Sequence, residues 1–216
     1  MHTGRRNGKS RFSLQWMTGT AMMIAVTILL GCTPLGMIRT PVLTATTMHI
    51  PVIIATLALG LEAGVVTGLV FGVQSLINNL TSASFFGPFF LNPLVSVLPR
   101  LLFPCCVYGL KKLAEKAFGE RAAGRTLSYV AASAMGTAAH TAMVMGMIYL
   151  IYGGRISAML QAGAGVPEAI ASRGAGMGIA VMAAVNGVPE MIVAALAAPA
   201  VALALDKVLR RGKSAR

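Results

Sequence analysis

The chain has 216 residues, of which 56% are hydrophobic and 11% are charged, and its mean hydropathy is +0.76. Soluble domains carry about 25% charged residues, so this composition excludes a water-soluble globular protein. The net charge of +12 is better explained by basic residues that flank membrane spans than by binding to nucleic acid.

Apolar blocks of bilayer length, roughly 20 residues for a helix, recur along the chain. They predict an all-α, polytopic membrane protein with one domain, residues 1–216, because no hydrophilic stretch is long enough for a soluble domain. Six transmembrane helices are expected in one bundle, at about 12–30, 42–59, 63–80, 93–110, 127–152 and 178–205. A short surface helix is also expected at 156–162, within the loop that precedes the last span.

A basic segment precedes the first span, which ends in a Gly31-Cys32 pair typical of lipoprotein cleavage sites. Signal peptides share this basic start, apolar core and small residue. Leu30 is bulkier than such a site usually takes, and cleavage would leave an odd number of helices, so we expect the span to be retained. Ala21 and Ala25 lie one turn apart on it, and they form either a packing face or a docking face for another membrane subunit.

The second and third spans form a hairpin around which the rest of the chain is organised. A tight turn at 60–62 joins them. Gly64, Gly68 and Gly72 recur every four residues on the third span, and such a face of small residues lets another helix approach closely in lipid. We therefore expect a neighbouring helix to pack tightly along this face.

Polar side chains of the hairpin concentrate at one of its ends. His49 lies near the start of the second span, and Gln74, Asn78 and Asn79 lie near the end of the third. Gln74 and Asn78 are one turn apart, so their amides share a side of the helix. Together with Asn92, at the start of the fourth span, these residues predict a polar pocket near one membrane surface.

The distribution of basic residues predicts the orientation. Six spans place both termini on one side, and 14 of the 18 Lys and Arg residues lie in the N-terminal segment, the linker 111–125 and the C-terminal tail. The positive-inside rule then places both termini and this linker in the cytoplasm. The loops at 32–47, 81–92 and 153–177 face outward, and so does the predicted polar pocket.

Two ionisable residues lie inside spans, Arg100 in the fourth and Glu190 near the centre of the sixth. A charge at the bilayer centre costs about 2.5–3.5 kcal/mol on insertion scales, so such residues usually face the bundle interior and have a partner. Asn186 lies one turn before Glu190, and Pro189 between them removes a helix hydrogen bond. Three interpretations stay open: a structural Arg100–Glu190 pair, ligand contact by either residue, and a proton relay.

No chemical motif supports catalysis. The three cysteines show no disulfide or metal-ligand spacing, and no ATP-binding motif is present, so this chain cannot itself drive transport with ATP. The sequence predicts no metal, no cofactor and no catalytic site. Two alternatives remain: an intramembrane enzyme with His49, His140 and Glu190 as acid–base groups, and a free-standing channel or carrier.

Four motifs carry a resemblance to a known family: MHIPVIIA at 48–55, GxxxGLxFGxxSL at 64–76, NPLVSxxPR at 92–100 and NGxxE at 186–190. Together they resemble the substrate-binding S components of energy-coupling factor (ECF) vitamin transporters. The resemblance extends over most of the chain, from about residue 15 to residue 207.

The resemblance implies a six-helix binding protein in the bacterial plasma membrane that captures a micronutrient from outside. It also implies partners, namely a transmembrane coupling subunit and two cytoplasmic ATPase subunits. Within this family, Ala21 and Ala25 match the docking motif of the first helix, and the loop 32–47 matches the loop that gates the pocket. The turn at 60–62 departs from the family pattern, but it is remote from the pocket.

The hairpin most resembles the family members that are assigned to pantothenate. A small monoanion suits Arg100 or Arg39 surrounded by amide donors. Riboflavin, folate or another vitamin stays an alternative, although the few aromatic residues near the outer loops disfavour a large flavin. The expected ligand-binding residues are Arg39, His49, Gln74, Asn78, Asn79, Asn92 and Arg100.

Overall fold

The computed structural model describes residues 13–39, 44–80, 86–119, 121–162 and 174–214. The elements in chain order are α1 (Leu14–Gly31), β1 (Met37–Arg39), β2 (Thr44–Thr46), α2 (His49–Leu59), α3 (Leu61–Asn79), a 3-10 helix (Gly87–Leu91), α4 (Pro93–Ser96), α5 (Leu98–Phe118), α6 (Ala122–Gln161) and α7 (Gly174–Ser214). The predicted all-α membrane fold is confirmed, with one small addition: β1 and β2 pair antiparallel as a hairpin.

The second predicted span, 42–59, is wrong in its first part. Residues 44–46 form strand β2, and α2 has only 11 residues, about 16 Å at 1.5 Å per residue, which is half a bilayer. Thr46 and Thr47 explain the difference, because their hydroxyls donate to the backbone carbonyls of Gly36 and Leu35 and so stabilise a non-helical path. Such a path is tolerated at membrane depth where protein surrounds it.

Five helical stretches in the described part of the chain are long and apolar enough to cross a membrane: 14–31, 61–79, 93–118, 122–159 and 176–209. Several run beyond the predicted boundaries. The predicted surface helix at 156–162 is a continuation of α6, and α7 continues into the basic tail. Hydropathy indicates where a helix leaves the apolar layer. The helix itself continues through residues of high helix propensity until residues of low propensity end it.

The helices alternate in direction, which brings the basic segments together at one end of the bundle, called here the basic end. Lys111 of α5 donates to the carbonyl oxygen of Leu57 near the end of α2, at 2.8 Å. Arg125 near the start of α6 forms an ion pair with Asp206 of α7, at 3.2 Å. The start of α1 and the end of α7 also line one cavity at this end, of about 370 Å³. The opposite end is called the outer end, after the orientation that the charges predict.

The glycine face of α3 packs against α5, as its spacing predicted. A Cβ atom at Gly68 would collide with the carbonyl oxygen of Arg100, and one at Gly72 would lie 2.9 Å from Cα of Val97. The turn before α3 is shorter than predicted, because only Gly60 separates α2 from α3. Its φ of 103° belongs to a region that L-residues with side chains rarely adopt, so glycine is required there.

Candidate functional site

A cluster of polar side chains lies inside the outer half of the bundle. Arg100 of α5, His49 of α2 and His140 of α6 are each 4% exposed or less. Glu190 of α7 lines a small cavity together with Arg100 and His140. Because buried polar groups are costly unless they are paired, their concentration in one place marks the candidate binding site.

Arg100 lies at the centre of this site, and a neighbouring proline helps to position it. Pro99 lacks the N–H group that would have bonded to the carbonyl oxygen of Val95 one turn earlier. Nη1 of Arg100 donates to that oxygen at 2.8 Å. The guanidinium also lies 5.4 Å from the ring centre of Phe71 and 5.2 Å from that of Phe90, at distances typical of cation–π contacts.

Arg100 makes no direct ion pair with Glu190 in the described part of the chain. The structural pair that the sequence left open is therefore not formed as a direct contact. Within the part of the chain that the structure describes, Nε of Arg100 is buried without a hydrogen-bond partner. A buried guanidinium without a direct ionic partner favours the binding of an anion that reaches it from the cavity.

His49 and His140 stack on each other, with ring centres 6.1 Å apart and planes inclined by 18°. Phe71 and Phe103 flank His140, with ring centres at 5.7 and 5.0 Å. Among the described residues, neither nitrogen of either histidine has a hydrogen-bond partner, although all four atoms are buried. Each imidazole can donate one hydrogen bond and accept another when it is neutral, so the pair offers a ligand both functions.

Glu190 binds the hairpin instead of a side chain. Its Oε1 accepts a hydrogen bond from the backbone N–H of Thr46, the last residue of β2, at 2.6 Å. A carboxylate that accepts from a backbone N–H forms a charge-assisted bond, about twice as strong as a neutral one. The bond therefore fastens the hairpin to α7.

Arg100 lines two small cavities in the described part of the chain. One, of about 30 Å³, is lined by Thr46, Met48, Phe71, Ser75, Asn79, Phe90 and Arg100. The other, of about 40 Å³, is lined by Thr46, Phe90, Arg100, His140, Thr141, Val144, Met145, Asn186 and Glu190. Each has room for one or two water molecules, whereas drug-sized ligands occupy about 300–1,000 Å³. A ligand of vitamin size therefore requires the hairpin or the 3-10 helix to move outward.

Three of the predicted ligand-binding residues meet at this site. Arg100 and Asn79 line the first cavity, and His49 stacks against His140, which lines the second. Nδ2 of Asn79 donates to the carbonyl oxygen of Ser75 at 2.8 Å. Because these residues come from α2, α3, α5 and α6, only the folded bundle assembles them.

Three other predicted residues lie away from the cavities. Gln74 donates to Asn78 at 3.1 Å, and Asn78 donates to the carbonyl oxygen of Gly31 at 2.9 Å, so this pair joins α3 to the end of α1. Asn92 caps α4 by accepting from the N–H of Leu94, and its amide nitrogen donates to the hydroxyl of Tyr152 at 3.2 Å. The backbone of Arg39 belongs to β1, but its side chain lies outside the described residues.

Ala21 and Ala25 are exposed on α1. The opposite face of α1 is buried through Thr20, Met23 and Thr27. Packing among the described residues therefore leaves the two alanines exposed, and a partner in the membrane can reach them.

Two contributors to the site were not predicted from the sequence. The backbone N–H of Thr46 was missed because residues 42–59 were assigned to a helix, in which that group would be satisfied internally. Phe90 was placed in an interfacial loop, and its contact with Arg100 depends on the fold of the 3-10 helix. The described residues contain no group of three potential metal ligands.

A family model described as ECF transporter, substrate-specific component, matches residues 15–202. No curated protein matches the chain significantly.

Proposed function

The chain belongs to the family of ECF transporter substrate-specific components, and we propose that it captures pantothenate for import. Membership makes it a micronutrient-binding subunit of an ECF importer and a multi-pass protein of the cell membrane. The family is one of transporter components and not of enzymes. Family membership therefore favours transport over the enzyme alternative, with His49, His140 and Glu190 as acid–base groups.

The observation that carries the proposal is the buried guanidinium of Arg100, which has no anionic side chain in direct contact among the described residues. Pantothenate supplies one carboxylate for it, and its hydroxyl and amide groups suit the unpaired imidazoles of His49 and His140. The guanidinium already contacts the rings of Phe71 and Phe90, which leaves less aromatic surface for stacking on a flavin. A small, polar monoanion therefore fits this chemistry better than riboflavin.

Thermal stabilisation of the purified protein tests the ligand. We expect pantothenate to raise the melting temperature in a concentration-dependent way, because a ligand that binds only the folded state stabilises it. Mass spectrometry of the small molecules that co-purify is expected to find the same compound. Stabilisation by riboflavin or folate alone would keep the family function and overturn the ligand, whereas lipid alone with no response to any vitamin would contradict the capture role.

The exposed face of α1 supports a second part of the proposal. Ala21 and Ala25 form its small-residue surface, and we assign to them the contact with the transmembrane coupling subunit. Small side chains let two helix backbones approach closely in lipid. The family implies this coupling subunit together with ATPase subunits.

Large side chains at these two positions are expected to abolish uptake without affecting ligand binding. Ala21→Trp with Ala25→Trp would hold the partner helix away from α1, because contact through small residues leaves no room for an indole. The measurements are vitamin uptake by cells, co-purification with the coupling subunit, and ligand affinity of the isolated protein.

A matched control is available on α6, where Ala138 and Ala142 are also one turn apart. The same double substitution there is expected to leave co-purification with the coupling subunit intact. The docking assignment would be wrong if the α1 variant still co-purified with the coupling subunit at the normal level.

A further inference from the structure

The hydroxyl of Thr141 on α6 is buried, and helix packing does not satisfy it. The hydroxyls of Ser133 and Thr137, which precede it on the same face of the helix, donate to the backbone carbonyl four residues before them, at 2.8 and 2.9 Å. Such a local bond is a common way for a helical Ser or Thr to satisfy its hydroxyl. Oγ1 of Thr141 is buried as well, yet it has no hydrogen-bond partner among the described residues. The third hydroxyl of this row is therefore available to another molecule.

Helix α7 lies close to this hydroxyl and completes a small polar cavity around it. A Cβ atom at Gly187 would lie 3.1 Å from Cγ2 and 3.3 Å from Oγ1 of Thr141, so glycine lets α7 approach closely. Asn186, the residue before Gly187, lines the same cavity of about 40 Å³, and so does His140, whose buried nitrogens are also unpaired in the described ranges. A hydroxyl, an amide and an imidazole therefore line one cavity, and each can donate and accept a hydrogen bond.

The two small cavities of the site differ in charge. They share Thr46, Phe90 and Arg100 as lining residues, so one ligand can reach both. The cavity of Thr141, called here the second cavity, is also lined by Glu190, whereas the described lining of the first contains no acidic residue. Like charges placed side by side are strongly unfavourable. A ligand carboxylate therefore fits the first cavity beside Arg100, and a neutral polar group fits the second.

We propose that Thr141 is a specificity-determining residue that binds the hydroxyl end of the ligand, with His140 and Asn186 beside it in the second cavity. Arg100 binds the carboxylate at the other end, so the two cavities fix the direction in which the ligand lies. The inference rests on the proposed function for the identity of the ligand, since pantothenate carries its hydroxyl groups and its carboxylate at opposite ends. The second cavity, of about 40 Å³, has room for a hydroxyl-bearing group and not for the whole molecule.

Two matched substitutions on α6 test the assignment, first in the unliganded protein. Thr141→Val replaces the hydroxyl with a methyl group of similar size. Thr137→Val makes the same change one turn earlier, at a buried hydroxyl that is already bonded to the carbonyl oxygen of Ser133. We expect Thr141→Val to melt at the wild-type temperature or above it, because it removes a buried polar group that has no partner. A fall in melting temperature larger than that of Thr137→Val would show a structural role and overturn the proposal.

Equilibrium binding of three ligands then tests the direction. Thr141→Val is expected to weaken pantothenate binding roughly 5- to 150-fold, the range expected when one polar group in a closed site is left unpaired, whereas Thr137→Val should leave it unchanged. Pantothenol, in which a hydroxymethyl group replaces the carboxylate, should lose affinity by the same factor, because Thr141 does not contact that end. The pantothenate analogue that lacks both hydroxyl groups should bind the wild type and Thr141→Val equally.

Equal affinities of the wild type and Thr141→Val for pantothenate would overturn the proposal. An equal loss for pantothenate and for the analogue without hydroxyl groups would place another part of the ligand at Thr141 and overturn the direction. If the wild type did not bind pantothenate, the proposed ligand would fail by itself. The same two variants, measured with riboflavin or folate, whichever raises the melting temperature of the wild type, would then decide whether Thr141 contacts the ligand. A wild type that no vitamin stabilises would refute both proposals.

Discussion

Replacing Arg100 with methionine is expected to weaken pantothenate binding roughly 30-fold or more while the protein still folds. The guanidinium is buried beside two phenylalanine rings, and its Nε has no hydrogen-bond partner among the described residues. Loss of one member of a buried, hydrogen-bonded charge pair typically costs about 2–5 kcal/mol of binding free energy. Equilibrium binding of radiolabelled ligand to the purified variant measures the effect.

Stability is expected to change little or to increase in Arg100→Met, because the substitution removes a buried charge that lacks an ionic partner in direct contact. This result would distinguish ligand binding from a structural ion pair, whose disruption would destabilise the bundle. Arg125→Met is the matched control, since Arg125 pairs with Asp206 at the basic end, and it should retain full affinity. An affinity within about threefold of wild type in Arg100→Met would refute the role of Arg100.

Replacing Gly68 with alanine is expected to destabilise the protein strongly. The added methyl group would collide with the backbone carbonyl of Arg100 and press on the ring of Pro104. Overpacking against groups that cannot move aside costs about 1–3 kcal/mol or more. Because the collision is with backbone, α3 and α5 must separate, and Arg100 must shift with them. Thermal unfolding in detergent and the affinity for pantothenate are therefore both expected to fall.

Gly109 provides the control for the helix propensity of alanine. It lies on α5, is exposed, and an added Cβ atom there would have no neighbour within 4 Å. Gly109→Ala should be neutral or stabilising by up to about 1 kcal/mol, because alanine favours a helix over glycine by that amount. Equal melting temperatures for the two variants would show that α3 and α5 do not depend on the close approach at Gly68.

The overall architecture can be predicted from the sequence because helices that lie in lipid must be made of apolar residues. Blocks of apolar residues locate the membrane helices, and the four-residue spacing of Gly64, Gly68 and Gly72 identifies the face that packs against a neighbour. The cost of a charge in the bilayer likewise singles out Arg100 and Glu190 as interior residues, from nothing more than their positions within apolar blocks.

The boundaries of the helices and strands are harder to predict from the sequence, for a physical reason. Hydropathy does not separate an apolar helix from an apolar segment whose backbone is satisfied elsewhere. Residues 44–46 are a strand because β1, which lies a few residues earlier, and Glu190, which lies 144 positions from Thr46, bond to their backbone groups. The extension of α6 to Gln161 was missed for the opposite reason, since a helix can continue beyond the apolar layer.

The direction of each polar side chain also depends on neighbours that the sequence does not reveal. Gln74 and Asn78 share a side of α3, as predicted, but that side faces the end of α1, where Asn78 binds the carbonyl oxygen of Gly31. Asn79, the next residue along, turns by about 100° around the helix and lines the cavity. The position of α1 therefore determines that Asn78 takes part in helix packing, whereas Asn79 lines the cavity.

By itself the sequence determined the membrane class, the placement of most spans, the close-packed glycine face and the buried charges, because each follows from the free energy of moving residues into lipid. Only the tertiary structure decided that Arg100 lies beside two phenylalanine rings, that His49 meets His140, and that Glu190 binds the hairpin. These contacts join residues up to 144 positions apart. Their geometry depends on how the helices pack, and the sequence of a single helix does not specify where the neighbouring helices lie.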